Sequence, residues 1–177
     1  MQNNDAPLLI EALNRMLAKE HACAIRYATH AAMVTGPYVD PVSARFQEIA
    51  SDEIAHAGKL RERICALGGM PTMAVTGGEL QAAVTLGEMI EENLEEERGA
   101  IEEYSRILGN VPRLNVLLCR TLEDILKDEQ EHLEELMDLT PMREENASRR
   151  QIRVRLDART GVTAQQHGQV SSLDSRD

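Results

Sequence analysis

The chain has 177 residues and a formal net charge of −11, and only 2% of its residues are aromatic. This length suffices for one domain with a substantial core, and a composition rich in Ala, Leu and Glu but poor in aromatics favours helices over sheets. The negative charge argues against nucleic acid and anionic membranes as partners and predicts an attraction for cations.

The first predicted helix begins at Asp5-Ala6-Pro7 and ends before Thr35-Gly36-Pro37. Asp is a favoured capping residue and Pro is accepted in a first turn, whereas Gly-Pro stops a helix. Apolar residues recur at helical spacing between these limits, and Glu20 and Tyr27 lie within that stripe. The pattern therefore predicts that this helix buries a carboxylate.

The second predicted helix begins at Asp40-Pro41, ends at Gly68-Gly69 and carries Glu53 and His56 on its apolar stripe. Residues 69–84 follow and are rich in Gly, Pro, Thr and Ala. Sixteen nearly extended residues span about 50 Å, which exceeds the length of about 42 Å of a helix of about 28 residues. We therefore predict a crossover that joins two parallel helices, with a local loop as the alternative.

The third predicted helix begins after Thr85, whose spacing from Glu88 fits a capping box, and it ends at Gly109. Its apolar stripe contains Glu97 and Tyr104. Glu97, rather than its neighbours in the same acidic run, lies on the stripe, so it is the glutamate that this helix is predicted to bury.

The fourth predicted helix begins at Val111-Pro112 and ends at Thr140-Pro141, with Glu129 and His132 on its stripe. Residues 1–140 are thus predicted to form a four-helix bundle. The polar tail, 141–177, is predicted to hold at most a short helix before it becomes disordered. The tail could be an address, a docking peptide for a partner, or without a role.

Glutamates and histidines on apolar stripes point to a metal site. In each Glu-x-x-His pair the carboxylate and the imidazole lie on the same face of a helix. A buried carboxylate needs a partner or takes up a proton, and no Lys or Arg lies at a neutralising helical offset. Four carboxylates and two imidazoles would balance two divalent cations of iron or manganese. The predicted ligands are Glu20, Glu53, His56, Glu97, Glu129 and His132. The alternative is that such pairs face solvent by chance.

An internal repeat supports convergence of these ligands. Glu20 and Glu53 lie 33 residues apart with Gly36-Pro37 midway between them, and Glu97 and Glu129 lie 32 apart around a second breaker. If each pair belongs to an αα-hairpin, folding at the breaker brings its two glutamates to the same depth.

Over residues 8–139 the chain resembles the ferritin-like di-iron carboxylate proteins, and among them the bacterioferritins. That family takes one Glu from each of two helices and a Glu-x-x-His from each of the other two. The resemblance implies an all-α, antiparallel four-helix bundle with a long crossover, and it implies that Glu53 and Glu129 bridge two irons. Each iron would have one further Glu and one His: Glu20 with His56, and Glu97 with His132.

The resemblance also implies two iron ions per subunit, with manganese as an alternative, and a ferroxidase that uses O₂ or H₂O₂ for iron storage. It implies a homo-oligomeric shell of 12 or 24 chains, or a smaller assembly. Bacterioferritin has its haem-ligating Met directly after the second-helix ligand, where this chain has Ile54, so we expect no haem there. No convincing fifth helix follows the fourth.

Other functions compete with this one. A di-iron or di-manganese peroxidase or catalase would use the same ligands, whereas a metal-free helical scaffold would use none. Leu94 and Ala100 stand where rubrerythrin-like peroxidases carry an additional carboxylate, which argues against that group. Tyr27 is expected at the catalytic site, with either a redox role or a hydrogen bond to a carboxylate. His30, on the same helix face, is predicted to pack rather than to ligate.

Location is inferred from what the sequence does not contain. Its three cysteines are widely spaced and form no CxxC motif, which is typical of reduced cytosolic proteins. The sequence shows no leader and no apolar run of membrane-spanning length. We expect a cytoplasmic protein.

Overall fold

Four helices make up the described part of the chain. The computed structural model describes residues 5–36, 39–76 and 83–139. The helices are α1 (Asp5–Met33), α2 (Val39–Ala66), α3 (Leu86–Asn110) and α4 (Val116–Leu139). No strand occurs within these ranges, as the all-α prediction requires. The tail, 141–177, lies outside the described residues, so its predicted character stays a prediction.

Two hydrophobic clusters fill the two ends of the bundle, which we call the lower and the upper end. The lower cluster joins the first half of α1, the second halves of α2 and α3, and the first half of α4, and it includes Leu13, Leu60 and Leu122. The upper cluster joins the opposite halves and includes Phe46 and Leu136. Adjacent elements α1 and α2, and likewise α3 and α4, are therefore antiparallel hairpins, while α2 and α3 are parallel. The glutamates predicted as ligands occupy the depth between the two clusters.

The segment after α2 turns back along the bundle. Gly68 has φ +79°, a left-handed conformation that ends α2 and that glycine adopts without strain. The Asn14 amide then donates to the Met70 carbonyl at 3.0 Å, and the Thr76 amide donates to the Ala18 carbonyl at 3.0 Å. Ala83 packs against the upper cluster. The segment thus leaves the lower end and reaches the upper end, which confirms the crossover and excludes the local loop.

The start of α3 follows the predicted capping box. The Thr85 side chain accepts a hydrogen bond from the Glu88 amide at 3.2 Å, and the Glu88 carboxylate accepts one from the Thr85 amide at 2.9 Å. These bonds satisfy amides that have no partner within the helix.

The predicted start of α4 was wrong. The helix begins at Val116, not at Val111-Pro112. Val111 instead caps the end of α3, because its amide donates to the Ile107 carbonyl at 3.1 Å. A turn follows in which the Asn115 amide donates to the Pro112 carbonyl, and the Asn115 side chain then accepts from the Leu118 amide at 3.4 Å. Asparagine is a favoured capping residue at the start of a helix, whereas the prediction placed the start of α4 at the proline.

No helix in the described ranges has the length and apolar character needed to cross a membrane.

Candidate metal centre

The structure brings all six predicted ligand side chains together at mid-depth in the bundle. Each is at most 2% exposed. Their ligand atoms form two groups, and within each group the atoms lie within 4.8 Å of one another. The first group is Glu20, Glu53, His56 and Glu129, and the second is Glu53, Glu97, Glu129 and His132. Glu53 and Glu129 belong to both groups, which is the position of a bridging carboxylate.

His56 faces the first group with its inner nitrogen. Its Nδ1 lies 3.6 Å from Glu20 Oε2, 3.6 Å from Glu53 Oε2 and 3.4 Å from Glu129 Oε1. His56 follows Glu53 by three residues, so one face of α2 presents both side chains.

His132 occupies the equivalent place in the second group. Its Nδ1 lies 3.6 Å from Glu53 Oε1, 3.6 Å from Glu129 Oε2 and 3.9 Å from Glu97 Oε2. The rings of His56 and His132 are 6.0 Å apart, centroid to centroid. The two groups are therefore adjacent halves of one centre.

Several inward atoms have no hydrogen-bond partner. They are Glu20 Oε2, Glu53 Oε1, Glu129 Oε1, His56 Nδ1 and His132 Nδ1. Buried polar atoms are seldom left without a partner because each costs desolvation free energy. Within the described ranges no Lys or Arg forms an ion pair with the four central glutamates, and their ion-pair partners are the two histidines. Carboxylate and imidazole donors aimed at common points fit two divalent cations.

The carboxyl groups divide into two kinds by their pKa. Burial raises the pKa of Glu20 well above its ordinary value, with the nearby Glu53 charge adding to the effect. Burial likewise raises the pKa of Glu97, together with the charge of Glu129. Burial also opposes ionisation of Glu53 and Glu129, but their neighbours, Glu20 for Glu53 and both histidines for each, lower their pKa values overall. Protons thus balance part of the buried negative charge when metal is absent.

The histidines hold protons in the metal-free centre. Burial acts to lower the pKa of His132, but the nearby carboxylates of Glu129 and Glu53 outweigh it and raise the pKa to about 10. The nearby carboxylates of Glu129, Glu20 and Glu53 raise the pKa of His56 against the same effect of burial. A metal ion must displace such protons, because it binds the neutral imidazole and the ionised carboxylate.

Two aspartates support the imidazoles from outside. His56 Nε2 lies 3.1 Å from Asp128 Oδ2, and His132 Nε2 lies 3.4 Å from Asp52 Oδ2. A carboxylate on the outer nitrogen holds the ring so that the inner nitrogen faces the metal position. Neither contact was predicted from the sequence, although an Asp directly precedes the predicted ligand Glu in both motifs.

Two tyrosines connect the hairpins. The Tyr27 hydroxyl donates to Glu97 and the Tyr104 hydroxyl donates to Glu20. Burial is the largest cause of the raised pKa values of both phenols, which favours their neutral, donating form. Each tyrosine therefore holds a glutamate of the other hairpin. The hydrogen bond expected as one role of Tyr27 is present, and its redox role stays a prediction.

Residues argued against as ligands lie apart from the two groups. Leu94 and Ala100 are buried apolar side chains of α3. His30 is fully buried, and its Nδ1 lies 3.2 Å from the Asn93 amide nitrogen. Arg26, which the sequence analysis did not single out, is buried beside it and donates to the Asn93 oxygen at 3.2 Å. Sequence reasoning therefore identified the six side chains that converge but not this neighbouring polar network.

Comparison with known proteins gives consistent matches. The family model of the ferritin-like domain matches residues 10–143. Bacterioferritin of Desulfovibrio desulfuricans is 29% identical over 126 residues, covering 71% of this chain and 70% of that protein. A ferritin-like di-iron carboxylate protein from Bacillus anthracis has a TM-score of 0.73 at 36% identity and covers 78% of this chain and 99% of that one. A dodecameric, bacterioferritin-related thioferritin from Bacteroides fragilis has a TM-score of 0.74 at 28% identity and covers 81% and 90%.

Proposed function

The chain belongs to the ferritin-like domain family, and we propose that it is a ferroxidase, which binds two Fe(II) ions between its helices and oxidises them with O₂ or H₂O₂ for iron storage and detoxification. The observation that carries this proposal is the pair of overlapping ligand groups with Glu53 and Glu129 in common. Iron is chosen over manganese because the Bacillus anthracis relative is a di-iron protein.

The shared carboxylates suit a reaction in which two Fe(II) ions are oxidised together. They would hold both Fe(II) ions close enough to meet one oxidant molecule. The two ions supply two electrons, so O₂ and two protons give H₂O₂, or H₂O₂ and two protons give two waters. Negatively charged oxygen ligands also favour Fe(III) over Fe(II). The product Fe(III) would then pass to a mineral.

The remaining residues act on the ligands or on the protons. Asp52 and Asp128 would hold the two imidazoles in orientation, and Tyr27 and Tyr104 would hold the two outer glutamates. Because the centre is buried, water competes little for the ligand atoms. The protons carried by the metal-free centre are released when Fe(II) enters.

Anaerobic Fe(II) titration followed by addition of oxidant tests the proposal. We expect ferric absorbance to develop rapidly with two irons per chain, and to develop slowly in Glu53→Ala. The matched control is Glu95→Ala, an exposed glutamate of α3 that lies outside both ligand groups. Equal rates in wild type and Glu53→Ala would refute the ferroxidase. H₂O₂ turnover without net mineral would indicate a peroxidase or catalase instead, with iron or manganese.

We also propose that the chain forms a homo-oligomeric shell. The dodecamer of the Bacteroides fragilis relative supports this, and the acidic surface would draw Fe(II) towards such a shell. Native mass spectrometry with metal analysis gives the copy number and the iron content together. A monomer that nevertheless oxidises iron would separate the enzyme from the storage function.

A further inference from the structure

Three buried polar side chains of the described ranges take no part in the metal centre. Nine charged, histidine or amide side chains are buried there, and six of them are the predicted metal ligands. The other three are Arg26, His30 and Asn93, at 5%, 0% and 0% exposure. They lie in one contact between α1 and α3, towards the upper end of the bundle. We call them the Asn93 network.

Each hydrogen bond of the Asn93 network determines the next. Arg26 has only donors, so its Nε, 3.2 Å from Asn93 Oδ1, identifies that atom as the amide oxygen. The Asn93 nitrogen is therefore a donor, and His30 Nδ1 accepts from it at 3.2 Å. Burial and the charge of Arg26 lower the pKa of His30, which keeps the imidazole neutral. Its single proton is consequently on Nε2, which lies 3.5 Å from Glu92 Oε2.

The network also has partners on both sides of the contact. Arg26 Nη2 donates to Cys23 Sγ at 3.1 Å, one turn back along α1, and Nη1 lies 3.5 Å from Glu96 Oε1 on α3. The His30 ring packs on Phe46 of α2, at 6.2 Å between centroids. A shift or rotation of α1 against α3 would leave buried donors and acceptors without these partners, which costs desolvation free energy. The network therefore favours a single register of the two helices.

The lower end of the same two helices has no such network within the part of the chain that the structure describes. Apart from the Tyr104 hydroxyl, the buried side chains of the lower cluster are apolar, among them Leu13, Met16 and Ile107. Apolar side chains can repack, so they stabilise a contact but specify its register less strictly. The register of α1 against α3 is therefore specified mainly at the upper end.

The network lies beside the half of the centre that contains Glu97. Arg26 precedes Tyr27, whose hydroxyl donates to Glu97, and Asn93 lies one helical turn before Glu97 on α3. The register of α1 against α3 therefore decides whether Tyr27 reaches Glu97. The half with Glu20 is held by a contact of the lower cluster instead.

We propose that Arg26, His30 and Asn93 are positioning residues, which fix the register between the two hairpins and so place Glu97 for metal binding. None of them belongs to either ligand group, and they act through the contact of Tyr27 with Glu97. The effect on metal binding rests on the proposed di-metal centre, whereas the register itself does not depend on metal.

Four variants of the full chain separate this role from a merely stabilising one. Asn93→Leu removes both amide bonds at similar volume. Arg26→Met/His30→Phe/Asn93→Leu makes the whole contact apolar, and because such replacements are often neutral or stabilising, this triple variant should fold. Asn93→Asp keeps an oxygen acceptor for Arg26 and should preserve the register. Arg98→Met, at an exposed residue of α3, is the matched control.

Equilibrium dialysis with Co(II) is the first measurement. Wild type, Asn93→Asp and Arg98→Met should bind two ions per chain. In Asn93→Leu and in the triple variant, the affinity for one ion should fall by about 10–100-fold, the loss expected when a supporting partner of a ligand is removed. The other ion should change little. Two unaltered ions, or equal weakening of both ions, in the folded triple variant would overturn the inference.

Chemical denaturation of the metal-free protein is the second measurement and tests the register without metal. In wild type, Tyr27→Phe should lower the denaturation midpoint because it removes the bond to Glu97. In the triple variant the same substitution should leave the midpoint unchanged, since Tyr27 no longer reaches Glu97. An equal decrease in both backgrounds would overturn the inference. A wild type that binds no Co(II) would refute the metal centre, and the midpoints would still decide whether the network fixes the register.

Discussion

The two hairpins contribute the same kinds of ligand but support them unequally. In the half with Glu20 and His56, the outer imidazole nitrogen lies 3.1 Å from Asp128, which also has Lys59 at 3.4 Å. In the half with Glu97, His132 lies 3.4 Å from Asp52, whose side chain is 51% exposed against 34% for Asp128. The difference teaches that a repeated pattern of candidate ligands need not give equivalent candidate metal positions. The Glu20 half is the more firmly held.

Substitution of a shared carboxylate should lower the metal affinity of both halves of the centre. Glu53→Ala and Glu129→Ala each delete a ligand from both groups, so both positions should weaken. Loss of a direct ligand should exceed the about 10–100-fold loss that follows removal of a supporting partner. Calorimetric titration with Mn(II) measures the affinity. Loss of only one ion from each variant would show that these glutamates do not bridge.

Substitution of the supporting aspartates should sharpen the distinction. We expect Asp128→Asn and Asp52→Asn each to lower the metal affinity of one half by about 10–100-fold, with the larger effect for Asp128→Asn because its contact is shorter and less exposed. The same titration resolves the two ions. Equal effects, or a larger one for Asp52→Asn, would contradict the ranking of the halves.

The pH dependence of the metal-free protein's melting temperature tests whether His132, in the half with Glu97, holds a proton. The folded-state pKa of His132 is raised to about 10, so its stabilising contribution is complete below the unfolded pKa of about 6.5 and is lost as pH rises towards 10. We expect the melting temperature of chelator-treated protein to fall over that window. Metal-loaded protein should lose less, since metal binding strengthens as protons leave.

The matched control for this pH effect is His132→Gln, which removes the titrating imidazole. The fall in melting temperature should become shallower in this variant. If the metal-free wild type instead gains stability from pH 6.5 upwards, the proton assignment at His132 is wrong.

Substitution of the tyrosines should have the smallest effect on stability. The two variants are matched controls for each other. Tyr27→Phe and Tyr104→Phe each remove one hydrogen bond to a glutamate of the other hairpin, at a cost of about 1 kcal/mol in unfolding free energy. Chemical denaturation measures this. A redox role for Tyr27 would add a slower Fe(II) oxidation in Tyr27→Phe that Tyr104→Phe does not share. Equal oxidation rates in the two variants would leave both tyrosines with only a positioning role.

Sequence reasoning succeeded where local periodicity carries the information. A carboxylate on an apolar stripe, such as Glu20 or Glu97, is recognisable because residues three and four apart share a helix face. The spacing of Glu20 from Glu53 around a Gly-Pro breaker then predicts a common depth in one hairpin. Four helices, the crossover and the set of six converging side chains followed from these patterns.

Contacts between hairpins could not be obtained in this way. Whether Asp128 reaches His56, or Tyr104 reaches Glu20, depends on how far each helix is rotated about its axis and shifted along it. Spacing within one helix does not contain that information. Asp52 and Asp128 are half-exposed acids on charged segments, so their composition alone does not distinguish them from solvated residues.

The sequence by itself determined which side chains are buried at helical spacing, because hydrophobic periodicity is a property of the local sequence of each helix. Tertiary structure alone decided how the two halves of the centre differ. It also decided that Leu114 projects into solvent, since it lies in the turn before α4. The physical reason is that local patterns fix the faces of helices, whereas packing of one helix against another fixes which faces meet.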